Sequence, residues 1–400
     1  MDIKNKEPQT PDFSDTRVAF EPKSDADLNQ TAWMFYFMNF GFLVNGMGQL
    51  AIWAVKLRLP FVKTILKKTL YKQFCGGESL EDAKSTIDHL YSFGVNTMLD
   101  YGAEGKNDEE AFDRVIAENI KSIDFAAAHE SVKVISTKVS GLTQNIILEK
   151  VQANISLTAD QQSRYEALKQ RLYRLCSYAE ERNVGIFIDA EESWIQDAID
   201  DLVLELMGRY NQGTIIVYNT YQLYRTDMLD NLKRDYRRSQ VEGFILGAKL
   251  VRGAYMDKER ARANNKGYTS PIHETKEATD QMYNDGVRFC MEHYDQIAFA
   301  NASHNMESME LQVRLIQEMG IPKDHIHVNF CQLMGMSDHL TFNLAKEGYN
   351  VAKYVPYGPV RDVVPYLVRR AQENSSVTGD MSREYAMLKA EVDRRKKQQT

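Results

Sequence analysis

Eight short apolar, β-branched runs recur along this chain, separated by longer stretches of helical spacing. They are VNTMLDYG from Val95, VKVISTKVS from Val132, VGIFIDAE from Val184, TIIVYNTY from Thr214, ILGAKLVRG from Ile245, IAFANASHN from Ile297, HIHVNFCQL from His325 and NVAKYVPYG from Asn350. Each is close to the length of a buried strand, and gaps such as EEAFDRVIAENIKSIDFAAA and SWIQDAIDDLVLELMGRY repeat their apolar residues at helical intervals. Strand–helix alternation implies parallel strands. Eight of them without a Rossmann-type glycine signature predict an α/β chain folded as a closed (β/α)8 barrel rather than an open doubly wound sheet. The barrel is expected over 91–375 with a helical insertion at 141–180, preceded by an N-terminal helical arm at 1–90 and followed by a charged tail at 376–400.

Of 400 residues, 43% are apolar and the formal net charge is −7, which is enough apolar material for a large core and too little charge for a disordered polymer. Apart from the tail around Arg394–Lys397, no Lys/Arg-rich stripe is long enough to neutralise a phosphate backbone, so nucleic acid is a poor partner. Cys75, Cys176, Cys290 and Cys331 are too far apart for a zinc or redox motif and are expected as reduced thiols in a cytosol-like compartment. The polar first thirty residues do not resemble a signal peptide. The apolar stretch 33–55 is broken by Asn39, Asn45, Gln49 and three glycines, so it reads as an interfacial or core helix rather than a membrane span. Lys56, Arg58, Lys63, Lys67, Lys68 and Lys72 follow among leucines and aromatics, a composition suited to an anionic membrane surface.

Active sites of such barrels lie at the carboxyl ends of the strands. Here those ends carry Glu104, Lys138, Asp189 with Glu191, Asn219 with Gln222, Lys249 with Arg252, Ser303-His304-Asn305, Gln332 and Tyr354. Lys138, Asp189 and Lys249 adjoin apolar runs where an unused charge would be costly. Arg369 and Arg370 follow the last strand within VVPYLVRRAQEN, and with Lys138 they form a receptor for a carboxylate or phosphate. Tyr255, Tyr354, Tyr357 and Tyr366 are placed to cage a small ring. His325, His327 and Cys331 read as core and rim residues, so no metal is expected.

The motifs KLVRGAYMDKER, DAEESW, NTYQLY, ASHN, QLMGM, YVPYGPV and PYLVRRAQEN occur in order between about Asp100 and Asn374. Together they resemble the proline dehydrogenase family, of the monofunctional, mitochondrial type. The resemblance implies a distorted TIM barrel with its final helix shifted over the mouth, FAD as cofactor, and oxidation of L-proline to Δ1-pyrroline-5-carboxylate by hydride transfer from C5 to flavin N5.

Carried over by position, the resemblance makes Lys138, Arg369 and Arg370 a carboxylate clamp organised by Asp189. Glu104 would pair with Arg369 as the site closes, and Tyr255, Leu333, Tyr354 and Tyr366 would pack on the proline ring. Asn219, Lys249, Arg252, Gly253, Ala254, Ser303, His304, Asn305 and Glu373 would contact the flavin. Tyr354 implies proline rather than hydroxyproline as substrate, because hydroxyproline-oxidising relatives carry a small residue there. A membrane quinone is the expected electron acceptor, with the protein cytoplasmic and peripheral on the inner membrane face. Two alternatives stand beside this: a hydroxyproline dehydrogenase, which the same family resemblance admits, and, from the residues, a Schiff-base lyase or aldolase using Lys138 or Lys249.

Overall fold

The computed structural model describes residues 10–38, 53–54, 57, 61–102, 108–376 and 380–399. Eight parallel strands close into a barrel in chain order: β1 (Asn96–Tyr101), β2 (Val132–Lys138), β3 (Gly185–Asp189), β4 (Val217–Gln222), β5 (Leu246–Val251), β6 (Ile297–Ala302), β7 (Val328–Leu333) and β8 (Val351–Tyr357). All eight expected strands are present, because strands buried on both faces read as nearly unbroken apolar runs.

Side chains alternate across each strand. Met98, Val134, Phe187, Tyr218, Ala298, Ala300, Cys331, Ala352 and Tyr354 point into the barrel and form one apolar cluster. Leu99, Ile135, Ile186, Ile188, Val217, Leu246 and Phe299 point outward into the layer shared with the helices. Inward-facing Gly247 leaves the room Tyr218 needs, since a Cβ there would collide with the Val217 carbonyl and approach the Tyr218 ring to 3.1 Å.

Several helices start where a side chain can satisfy their first N–H groups. Ser79 caps Leu80–Ser92, Asp108 caps Glu109–Ala128, and Thr158 with Gln161 forms a capping box on Ala159–Glu181. Residues 141–180, expected as an insertion, supply the β2–β3 crossover itself. Ala159–Glu181 packs on β3 and on both neighbouring barrel helices, and a shorter helix, Asn145–Gln152, packs on Ser193–Tyr210.

The arm and the last helix exchange places. Leu80–Ser92 lies along β1 with Ala83, Ile87 and Leu90 buried, and Phe93 meets Phe342 edge-on at 6.0 Å, so the arm fills a position in the helical ring. The chain leaving β8 is held by the arm: the Tyr71 hydroxyl donates to the Gly358 carbonyl at 2.7 Å, and the Gly358 N–H donates to Gly77 at 3.0 Å. The next helix, Val360–Ser376, therefore packs on the arm instead of flanking the barrel, and its Tyr366 and Arg370 approach the carboxyl ends of the strands.

Val360, Val363, Val364, Leu367 and Val368 build a second core with Phe20, Leu28, Phe35 and Phe74 of the arm and Leu388 of the tail helix Asp380–Gln399. Arg395 of that helix donates to the carbonyls of Phe20 and Lys23, both at 2.8 Å, tying the tail to the arm. All four cysteines are free and buried.

Candidate active site

Inward alternation brings Asp100 (β1), Ser136 and Lys138 (β2), Asp189 (β3), Gln222 (β4), Lys249 (β5) and Tyr354 (β8) to the carboxyl-terminal end of the barrel. Asp189 is the hub. Its carboxylate accepts from Lys249 Nζ at 2.5 Å and from the Tyr354 hydroxyl at 2.8 Å, and Lys138 Nζ lies at 3.4 Å. The Lys249 ammonium also sits 4.9 Å from the Tyr354 ring centroid and 5.3 Å from that of Phe187.

Burial alone would raise the Asp189 carboxyl. The ammonium groups of Lys249 and Lys138, with the hydrogen bonds from Lys249 and Tyr354, overturn that and hold it well below the usual carboxylate range. Asp100, 3% exposed, goes the other way: burial raises its carboxyl against the pull of Lys138. The mouth thus holds one carboxylate firmly ionised and another pushed toward its neutral form.

Lys138 is positioned from behind. Glu191 accepts from the Ser140 N–H at 2.8 Å and from the Ser140 hydroxyl, fixing the turn that follows Lys138. Gln222 donates to the Glu191 carbonyl at 2.7 Å, and the Gln196 side chain accepts the Glu191 N–H at 2.6 Å. Burial raises the Glu191 carboxyl to about 7 against these hydrogen bonds. Lys138 itself keeps about a third of its side chain exposed at the mouth.

The β5 and β6 ends are tied together. Arg252 donates to Asp280 at 2.7 Å, to the Ser303 hydroxyl at 2.6 Å and to the Ser308 hydroxyl at 3.1 Å. Asn305 caps the helix Met306–Glu318 by accepting the Ser308 N–H at 3.0 Å. His304 Nδ1 lies 2.9 Å from the Ser337 hydroxyl, and burial together with Lys353 and Arg370 lowers its imidazole to about 3, so it is neutral at physiological pH. Gly253 and Ala254 form an exposed rim; Gly253 has φ +145°, and a Cβ there would collide with the Tyr224 ring.

From the helix over the mouth, the Arg370 guanidinium lies 5.5 Å from the Tyr366 ring centroid. Leu333 and Tyr255 are half-buried at the rim, with Tyr255 in electrostatic range of Lys138. Asn219 is not brought to this group. It is fully buried on the outward face of β4 and donates to Asp200 at 2.8 Å, because inward Tyr218 forces its neighbour toward the helices. Tyr357, expected in the cage, likewise faces outward, its hydroxyl 2.7 Å from that of Ser122. Glu104 lies outside the described residues, as do the side chains of Arg369 and Glu373. Asp100 is the residue the motifs did not single out; its charge at the end of the apolar run NTMLDYG, two places after inward Met98, was the available signal.

The family profile described as Proline dehydrogenase matches residues 83–383. The chain belongs to the proline dehydrogenase family. It is 32% identical to "Proline dehydrogenase 2, mitochondrial" of Arabidopsis thaliana over 94% of this chain and 92% of that one. It is 42% identical to "Proline dehydrogenase 1, mitochondrial" of Homo sapiens over 60% of this chain and 40% of that one. Among solved structures it resembles a proline utilization A from Bdellovibrio bacteriovorus, with TM-score 0.77 and 19% identity over 94% of this chain and 43% of that one, a likeness of fold. As a member of this family the chain is an oxidoreductase that oxidises proline, the first step of proline catabolism.

Proposed function

We propose that the barrel mouth binds FAD and oxidises L-proline to Δ1-pyrroline-5-carboxylate, with Asp189 as the organiser of the substrate end. The observation that carries this reading is the Asp189 hub, one ionised carboxylate gripping Lys249 and Tyr354 beneath the partly exposed Lys138. The residues fit a flavin dinucleotide. The left-handed Gly253 and small Ala254 leave bare backbone for close approach, Lys249 and Arg252 supply positive charge, and the N-terminus of Met306–Glu318 faces the same side. When bound, the flavin would supply the two-electron acceptor that proline oxidation needs.

The protein's own work is to bind and orient the substrate and to favour its neutral amine. Lys138 and Arg370, joined by Arg369, hold the substrate carboxylate; the long 3.4 Å contact to Asp189 leaves Lys138 donors directed at the mouth. Tyr354 forms the floor under the ring, its hydroxyl fixed on Asp189, while Tyr255, Leu333 and Tyr366 close the sides and exclude water. The surrounding cations disfavour an ammonium, so proline is held with a neutral nitrogen, ready to form the imine without a dedicated base. Glu104 closing on Arg369 completes the gate in this reading.

Tyr354 also separates proline from hydroxyproline. The chain is 31% identical to a hydroxyproline dehydrogenase of Xenopus laevis, yet a Tyr354 ring anchored on Asp189 takes up the space an added hydroxyl would need.

Electrons would leave to a membrane quinone, with the arm resting on the inner membrane face. In support, Trp33, Phe37, Trp53, Leu57, Phe61 and Ile65 of the arm are all more than half exposed, beside Lys63 and Lys67. Among the described residues no helix is long and apolar enough to cross a membrane. Flotation with anionic vesicles at low salt is the expected outcome, and failure to float removes this part of the reading. The catalytic core is tested by anaerobic addition of L-proline to purified protein: the visible flavin absorbance bleaches. A colourless protein that borohydride traps covalently on its substrate would instead make it a Schiff-base enzyme.

A further inference from the structure

Behind His304 lies a buried polar layer that the reaction does not use. Glu384 of the tail helix is 7% exposed and accepts the Ser337 N–H at 2.7 Å. Ser337 stands in the loop after β7 with φ +51°, a left-handed conformation that a non-glycine residue adopts only under strain. Its hydroxyl lies 2.9 Å from His304 Nδ1. The next residue, Asp338, pairs with Lys353 at 2.9 Å and with Lys23 of the arm at 3.3 Å, so both ends of the described chain meet at this loop. The family match ends at residue 383, and Glu384 is the first residue beyond it.

We propose that Glu384 is a positioning residue for the cofactor site, holding Ser337 in its strained conformation so that the Ser337 hydroxyl fixes His304 toward the flavin. The tail helix then belongs to the active site's support. The inference rests on the flavin reading given above. Burial, with the neighbouring Asp338, raises the Glu384 carboxyl to about 8, so at neutral pH it is an uncharged acid accepting through its carbonyl oxygen. A glutamine offers the same oxygen and should replace it.

The test is titration of the FAD-stripped full-length chain with FAD, followed by quenching of flavin fluorescence, alongside thermal unfolding and the proline KM at saturating FAD. Glu384→Ala should bind FAD about tenfold more weakly, the effect of one lost buried hydrogen bond, while Glu384→Gln stays within about twofold of the wild-type chain. Once saturated with FAD, both should show an unchanged KM for proline. Equal FAD affinity in Glu384→Ala and wild type overturns the proposal, as does a Glu384→Gln chain as weak as Glu384→Ala. If Glu384→Ala does not fold, Ser337→Ala, which removes only the hydroxyl facing His304, should weaken FAD binding at least threefold, and no change overturns the proposal. A folded wild-type chain that takes up no FAD at all would overturn the flavin reading itself, a result distinct from any of these.

Discussion

The two halves of the barrel interior are built for different ends. The lower half is filled by Met98, Val134, Phe187, Ala298 and Ala352, apolar side chains packed with almost no exposure. The upper half, one turn of the strand alternation higher, carries Asp100, Lys138, Asp189, Gln222 and Lys249, burying charge where the lower half buries methyl groups. Lower positions lose free energy only through lost contact and cavity formation. Upper positions stand only while each charge keeps its partner, and removing one partner strands the others in a poorly solvating interior. Substitutions in the lower half should therefore cost stability alone, whereas those in the upper half should cost activity as well.

The sharpest way to break this contrast is Asp189→Asn. Lys249 would be left buried without its counter-charge, so unfolding by denaturant should lose about 3–5 kcal/mol, and kcat/KM for proline should fall at least about a hundredfold. Met98→Ala, on the same barrel but below the polar layer, should cost about 2–5 kcal/mol of stability while leaving the proline KM within about twofold. Arg370→Met should do the reverse, raising KM tenfold or more through the loss of one charge-assisted bond of about 1.5–3 kcal/mol, with the unfolding midpoint little changed.

The smallest effect concerns pH. The folded Glu191 carboxyl is raised to about 7, so it keeps its proton where the unfolded chain, titrating near ~4.3, has lost it. Its contribution to stability is complete below the unfolded value and is lost as pH rises through about 7. Denaturant unfolding of Glu191→Gln at pH 5 and pH 8 should therefore show a smaller decline between the two than the wild-type chain.

The fold was legible because its strands are continuous apolar runs and its crossovers are amphipathic, two periods that the eye can separate. The core of the site was legible because Lys138, Asp189 and Lys249 interrupt or end such runs. Asn219 was misplaced for a simple reason: motif position ignores strand parity, and with Tyr218 inward its side chain must face Asp200. Residues 141–180 looked like an insertion because a short helix precedes the crossover helix and lengthens the gap. Glu191 on Ser140 and Glu384 on Ser337 join residues 51 and 47 positions apart, and no local pattern announces such pairs. Nor does local sequence reveal that Leu80–Ser92 takes a place in the helical ring and so frees the final helix to cover the mouth.

The central claim is that Lys138 and Arg370 grip a ring carboxylate from above Asp189, and it can be tested without turnover. Cyclopentanecarboxylate and its neutral amide should be compared as competitive inhibitors against proline. The account predicts that the carboxylate binds at least tenfold more tightly, and that this preference disappears in Lys138→Met and in Arg370→Met. Equal inhibition by the two compounds, or a preference that survives both substitutions, would contradict it.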